Sequence, residues 1–289
     1  GQQSAARVLL LGPPSSAYRG FFRLLIQQHN PFAVSDNLQW LGQREFDLVI
    51  AADGAPAELG PYVSQGGRLL AAGTTPPALP GLPPVTRRWK ETRGYWRIRD
   101  HSFLPSLKDT RLLFLNGDYV EFASAGLPPG QKPVLTLIPP SIFGPPEKVF
   151  TDAVETDKPG LLLQDLGQGK FAYLPWDVGG LYYRHSSPGH GGLLADLVDH
   201  LLPRGRQLKT NAHPLVEITV MRQRGRTLVH FVNLSGHSGT AYFAPIPMRD
   251  IRVALAESFQ AARSAGLGRK LPVEREGRYG VFSLPVLEK

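Results

Sequence analysis

Short apolar runs separated by turn residues mark the first two thirds of the chain. Residues 6–12 (ARVLLLG) end in Gly-Pro-Pro, the pattern of a strand covered on both faces of a parallel sheet. Ser15 or Ser16 can cap the helix that follows. Phe21, Phe22, Leu24, Leu25 and Ile26 give that helix a broad apolar side, and Asn30-Pro31 stops it. Residues 32–35 and 46–51 (FDLVIA) read as the second and third strands, so strands alternate with helices and a parallel sheet is expected. Residues 58–73 (ELGPYVSQGGRLLAAG) predict a short helix, a left-handed stop at Gly66-Gly67 and a strand over 68–72.

Residues 74–86 are rich in Pro and Thr and predict an irregular connection. From 87 to 150 the pattern is mostly β, with strands expected over 94–99, 111–115, 119–122 and 134–138. Residues 159–164 (PGLLLQ) and 170–175 (KFAYLP) flank Gly167-Gln168-Gly169 as a hairpin. A helix over 190–202 puts Leu193, Leu194, Leu197, Val198, Leu201 and Leu202 on one face. Residues 203–209 are polar and contain Pro and Gly, which places a boundary there. The expected fold is therefore an α/β domain over 1–207, followed by a small all-β sandwich over 208–289. Its strands are expected over 216–222, 227–234, 240–245, 251–255 and 279–285. At about 75 residues the sandwich is near the lower limit for independent folding.

Composition narrows the chemistry. Hydrophobic residues make up 42% and charged residues 19% of the 289, the balance of a chain with a packed core. No run approaches the ~20 apolar residues of a membrane span. Gly1 stands where Met would be, and no basic-then-apolar segment precedes Val8, so the N-terminus reads as trimmed by signal removal, a domain boundary or a tag scar. A periplasmic or extracellular setting is favoured over a cytoplasmic one. The chain has no cysteine, which excludes disulfides, a Cys-ligated zinc site and a thiol nucleophile.

The net charge of +8 raises the question of nucleic acid. Its densest basic and aromatic stretch is Arg87, Arg88, Trp89, Lys90, Arg93, Tyr95, Trp96, Arg97 and Arg99. Polar-apolar alternation there fits a half-buried surface strand, and no nucleic-acid fold motif accompanies it, so neither a nucleic-acid nor a membrane partner is expected.

Two stretches carry a resemblance. FDLVIAADGAPAELGPYVSQGGRLLAAGTT resembles the central βαβ unit of class I glutamine-amidotransferase-like domains, especially the β-galactosidase trimerisation domain. GLLLQDLGQGKFAYLPWDVGGLYYRHSSPGHGGLLADLVDHLLP with VEITVMRQRGRTLVHFVNLSG looks like the end of that domain and the start of the β-domain after it. In bacterial glycoside-hydrolase-like proteins such an arrangement follows a TIM barrel. The resemblance implies a barrel with the catalytic carboxylates upstream and an assembly role for the part in hand.

Active amidotransferases set a cysteine at a strand-to-helix turn beside a His and a Glu. The matching place here is Gly73-Thr74-Thr75-Pro76, where the prolines oppose a helix and no His-x-Glu pattern supplies a base. No catalytic residue, no metal and no cofactor is therefore expected. The candidate contact residues lie in a loop read over 175–190, namely Trp176, Asp177, Tyr182, Tyr183, Arg184, His185 and His190. Aromatic faces beside hydrogen-bonding groups suit a sugar ring or a partner surface, and they equally suit a structural loop anchored by buried rings. Asp177, His185 and His190 lack the spacing of a metal site. Asp118, Glu121, Glu147 and Asp177 are the carboxylates from which a glycosidase-type pair could be drawn. The expected function is a non-catalytic accessory or oligomerisation module of a carbohydrate-active protein. Its expected partner is a second copy or an upstream barrel, with carbohydrate as the alternative. The rival readings are a carboxylate-based carbohydrate hydrolase and a free carbohydrate-binding module.

Overall fold

The computed structural model describes residues 1–42, 45–123, 133–140 and 154–288. In chain order the strands and helices begin with β1 (Gln3–Ser4), β2 (Val8–Leu11), α1 (Ser16–Gln27), β3 (Phe32–Ser35), β4 (Leu48–Ala51), α2 (Leu59–Ser64) and β5 (Arg68–Ala72). Then come β6 (Val85–Ile98), β7 (Leu112–Phe122), β8 (Leu135–Ile138), β9 (Leu162–Leu166), β10 (Gly169–Leu174), α3 (Val178–His185) and α4 (Pro188–Leu201). The remaining strands are β11 (Leu208–Thr210), β12 (Val216–Gln223), β13 (Arg226–Asn233), β14 (His237–Ser238), β15 (Ala241–Tyr242) and β16 (Met248–Leu255). They finish with β17 (Ala262–Ser264), β18 (Arg269–Leu271), β19 (Glu274–Glu276) and β20 (Tyr279–Leu287).

Contacts divide the chain into two compact units. One comprises residues 9–22 and 34–203, and the other comprises 1–8, 23–33 and 204–289. The C-terminal β-rich part thus recruits the chain's beginning, whereas the sequence pattern assigned it residues 208–289 alone. A two-residue strand such as β1 has no periodicity to reveal it.

The six-stranded sheet runs in the order β3-β2-β4-β5-β10-β9. Every residue of β2 and β4, and all of β5 after Arg68, is buried, which explains why these strands are continuous apolar runs. β5 is parallel to β4 and to β10, whereas β9 closes the edge as an antiparallel hairpin with β10. Taking the first five strands as they succeed one another, the order is 2-1-3-4-5, the flavodoxin-like arrangement. Its functional crevice lies beyond the C-terminal ends of the strands.

The β7-β6-β8 sheet differs from expectation in length. Residues 94–99 are only the end of the 14-residue β6, and the two strands expected between 111 and 122 are one, β7. Bulges between Val85 and Arg87 and between Trp89 and Thr92 break the period of two, and Gly117 at φ 129° sits opposite Thr92 inside β7. The basic stretch forms the exposed edge positions of this strand: Arg87, Arg88, Lys90 and Arg93 face solvent, whereas Trp96 and Ile98 are buried.

In the other unit, β1-β12-β13 and β11-β16-β20-β19 form two sheets. Val216, Ile218 and Val220 from the first share one core with Ile251, Val253, Leu255, Phe282 and Leu284 from the second. This is the sandwich expected of alternating strands. The strand expected over 240–245 shrinks to β15, paired with β14, because Pro245 and Pro247 remove ladder donors soon after it.

Candidate functional site

The segment 175–190, expected as a loop, is helix α3 with the first turn of α4. Asp177 caps α3, its Oδ1 accepting from the Gly180 N–H at 2.8 Å. Ser186 ends it in the left-handed conformation with its N–H bonded to the Tyr182 carbonyl. The Gly179-Gly180 pair argues against a helix on propensity. Its reason is tertiary: a Cβ on Gly20 would overlap the Gly179 carbonyl, and one on Gly179 would stand 2.6 Å from the Ala17 carbonyl oxygen. α1 and α3 therefore meet backbone to backbone, which side chains there would forbid.

This local fold separates the seven candidate residues into two groups. Trp176 and His190 are wholly buried and Tyr182 nearly so. The Trp176 indole N–H donates to the Gly160 carbonyl at 3.0 Å, and its ring packs against Trp96 and His190 at 5.7 and 5.6 Å. Burial pushes the His190 imidazole below its usual range, so it is neutral near pH 7. Its Nε2 lies 2.9 Å from the Phe114 carbonyl oxygen, so the proton belongs on Nε2, and Nδ1 is a buried acceptor with no partner among the described residues. These side chains form a core under the sheet edge, and their ring faces are closed to a ligand.

Asp177, Tyr183, Arg184 and His185 reach solvent. Asp177 Oδ2 lies 3.4 Å from the Arg184 guanidinium. Burial pushes the Asp177 carboxyl above its ordinary range, with the Asp53 charge as a smaller push. The Gly180 N–H and Arg184 act in the opposite direction. The Arg19 guanidinium stands 5.9 Å from the centre of the Tyr183 ring, and His185 packs edge-on against Phe114 at 5.7 Å.

Asp53, which the sequence did not single out, follows β4, and Asp177 follows β10. Between them Gly73 follows β5 with φ 104°, and a Cβ there would stand 3.2 Å from Asp53 Oδ1. The Gly73 N–H lies 3.1 and 3.2 Å from the Leu174 and Trp176 carbonyl oxygens, and its carbonyl accepts from the Tyr173 hydroxyl at 2.8 Å. The turn is thus fixed by its own backbone. Arg88 holds the Thr74 carbonyl at 2.8 Å, and β6 rather than a helix is the next regular element after β5. The turn after β5 therefore has neither a thiol nor a following helix N-terminus that could stabilise an oxyanion. The edge offers two carboxylates, a guanidinium and a phenol, groups that can hydrogen-bond a hydroxylated ligand or a polar partner surface.

Two of the other candidate carboxylates are engaged elsewhere. Asp118 accepts from the Glu91 N–H at 2.9 Å. Glu121 accepts from the Trp89 indole at 3.0 Å and pairs with Lys158 at 3.5 Å. Glu147 lies outside the described residues. Among the described residues no group of three or more His, Asp and Glu is arranged to hold a metal ion. Glu155, also unforeseen, gathers Arg97 at 2.8 Å together with Arg99 and Thr136. Beside it in the same sheet, Tyr95 and Phe114 are cross-strand partners, so a half-exposed aromatic pair abuts His185.

No family model and no curated protein matches the chain. Solved structures do. α-L-Fucosidase isoenzyme 2 from Paenibacillus thiaminolyticus aligns with all of this chain and 48% of its own at a TM-score of 0.75 and 17% identity. β-Galactosidase from Bacillus circulans sp. alkalophilus aligns with 97% of this chain and 42% of its own, at 0.60 and 12%. The β-galactosidase from Rahnella sp. R3 aligns with 99% and 40%, at 0.55 and 16%. The chain has the fold of a part of these glycoside hydrolases and spans less than half of their length.

Proposed function

We propose that this chain is a non-catalytic accessory and assembly module of a carbohydrate-active, glycoside-hydrolase-like protein. One observation carries the reading: the parallel sheet has at the turn after β5 the sequence Gly73-Thr74-Thr75, pinned by Leu174, Trp176 and Tyr173. A scaffold retained without its nucleophile is suited to presenting surfaces. The trimerisation-domain resemblance and the fold shared with the fucosidase and the β-galactosidases support the carbohydrate context. The test is turnover of aryl α-L-fucosides and β-galactosides by the purified chain. None is expected, and turnover abolished by Asp177→Asn would replace this reading with that of a carboxylate hydrolase.

The pair Tyr95 and Phe114 with His185 favours sugar binding as a second reading, since a partly exposed aromatic pair can stack on a pyranose face. Titration calorimetry with oligosaccharides examines it. Heat lost on Tyr95→Ala supports it, and no heat with any sugar removes it.

A further inference from the structure

In the sandwich unit six exposed apolar side chains gather around one short arm. Tyr242, Phe243 and Ile246 are 81, 68 and 67% exposed, and Leu215, Val232 and Leu234 are 42, 47 and 36% exposed. They are neighbours. Leu234 N–H bonds to the Leu215 carbonyl at 2.8 Å, Phe243 N–H to the Gly236 carbonyl at 2.7 Å, and Ile246 N–H to Ser235 Oγ at 2.8 Å.

The arm is held in place. Asn233, itself buried, donates its Nδ2 to the Ile246 carbonyl at 2.8 Å, and its Oδ1 accepts from the Ser235 N–H and hydroxyl at 3.1 and 2.7 Å. Gly236 fits so closely under Phe243 that a Cβ would overlap the Phe243 carbonyl. His237 packs against the Tyr242 ring at 5.0 Å. A fixed backbone therefore holds two aromatics and an isoleucine away from the chain's own core. Apolar side chains held out from the core by a fixed backbone make a surface suited to being covered.

At roughly 200 Å² per large side chain, the six exposures leave on the order of 700 Å² of largely apolar surface, close to the ~800 Å² per partner of a stable complex. That also exceeds the ~300–600 Å² patch of an ordinary monomer. The surface combines a protruding part, the arm, with a flatter strand-borne part at Leu215, Val232 and Leu234. A two-fold contact lets each arm cover the other copy's flat part, since such an interface is self-complementary. The exposed charges that follow the arm, Arg249 and Asp250, are of opposite sign, so the chain's overall +8 does not oppose the contact at this place.

We infer that the chain forms a two-fold dimer through the Tyr242–Phe243–Ile246 arm of its sandwich unit, each arm lying on Leu215, Val232 and Leu234 of a second copy. The inference deepens the assembly half of the function proposed above and assigns it to the β-unit rather than to the α/β sheet edge.

Sedimentation equilibrium of the full chain from about 1 to about 100 μM tests it, a range that resolves micromolar dissociation constants. The wild type is expected to reach twice the chain mass. Tyr242→Ser with Phe243→Ser is expected to weaken association at least about tenfold, as for central aromatic anchors, with unchanged circular dichroism. Ile246→Ser serves as a second, milder variant. Amide exchange over 241–246 is expected to slow as concentration rises. A dimer unaffected by the substitutions overturns the arm and leaves the assembly function standing. A monomer at about 100 μM overturns the inference and, with it, self-association as the assembly role. Protection of 241–246 independent of concentration, or appearing only with added polysaccharide, assigns the arm to another occupant and overturns the inference too.

Discussion

Replacing Trp176 with alanine separates a core role from a ligand role. The indole is fully buried between Trp96 and His190 and donates to the Gly160 carbonyl. Removing a buried tryptophan ring costs about 3–5 kcal/mol through lost transfer energy and the cavity left behind. The Gly160 carbonyl would also lose its indole donor, worth about 1 kcal/mol. The sum, about 4–6 kcal/mol, is a large share of the ~5–15 kcal/mol that holds a typical domain together. With a urea slope of about 2 kcal/mol per molar, the midpoint should fall by about 2–3 M, and marginal folding at 37 °C is expected. Trp176→Phe keeps most of the ring, so its loss should be about 1–2 kcal/mol, dominated by the unsatisfied carbonyl. Urea denaturation followed by near-ultraviolet circular dichroism measures both. A cost under about 1 kcal/mol for Trp176→Ala would show that the ring is not packed in the core. If a sugar-dependent signal also disappears from that stable variant, the ring is a ligand platform.

Gly179→Ala would drive a methyl into the Ala17 backbone, so it should destabilise by at least about 1–3 kcal/mol, more than an exposed Gly→Ala change in a helix, which stabilises; a rise in melting temperature would refute the close helix contact. Burial lowers the His190, His29 and His200 imidazoles, so the unfolded chain binds protons at these residues at higher pH than the fold does. Their contribution is complete well above the unfolded value of about 6.5 and declines as pH falls through the folded values; His190→Phe should flatten part of that slope in stability measured between about pH 7 and 5. At Glu155 burial pushes the carboxyl up, yet Thr136, Arg99 and Arg97 outweigh it and hold the carboxyl below its usual range. Its stabilisation is present above the unfolded carboxylate range and is lost as pH falls through the folded value, so the cost of Glu155→Gln should be largest at pH 7 and shrink as pH falls below that range.

Legibility followed how local the cause was. β5 was readable to the residue and β2 and β4 to within two, because strands buried on both faces announce themselves as apolar runs; β3, a partly exposed edge strand, was readable to the residue because Asn30-Pro31 marks its start. α4 was readable from its leucine spacing. α3 was not, because Gly179 and Gly180 look like loop residues until α1 is placed against them. For the same reason the aromatic group split in two. Spacing brings Trp176 and His190 near Tyr183 and Arg184, but only the fold decides that the first pair points inward and the second outward. Asp53 was invisible as a site residue because its neighbours, Gly73 and Asp177, come from strands far along the chain. The arm was hidden for a different reason: Tyr242 and Phe243 resemble strand interior residues, and only their exposure shows that this chain has no core for them.

An accessory and assembly role, as proposed, requires that this sheet present surfaces and perform no chemistry. The most direct measurement is saturating turnover of a panel of aryl α-L-fucosides and β-galactosides, comparing the chain with its Asp53→Asn and Asp177→Asn variants. Release indistinguishable from buffer is expected for all three. Hydrolysis by the wild type that either substitution removes would contradict it, and would make the two carboxylates at the sheet edge an active site.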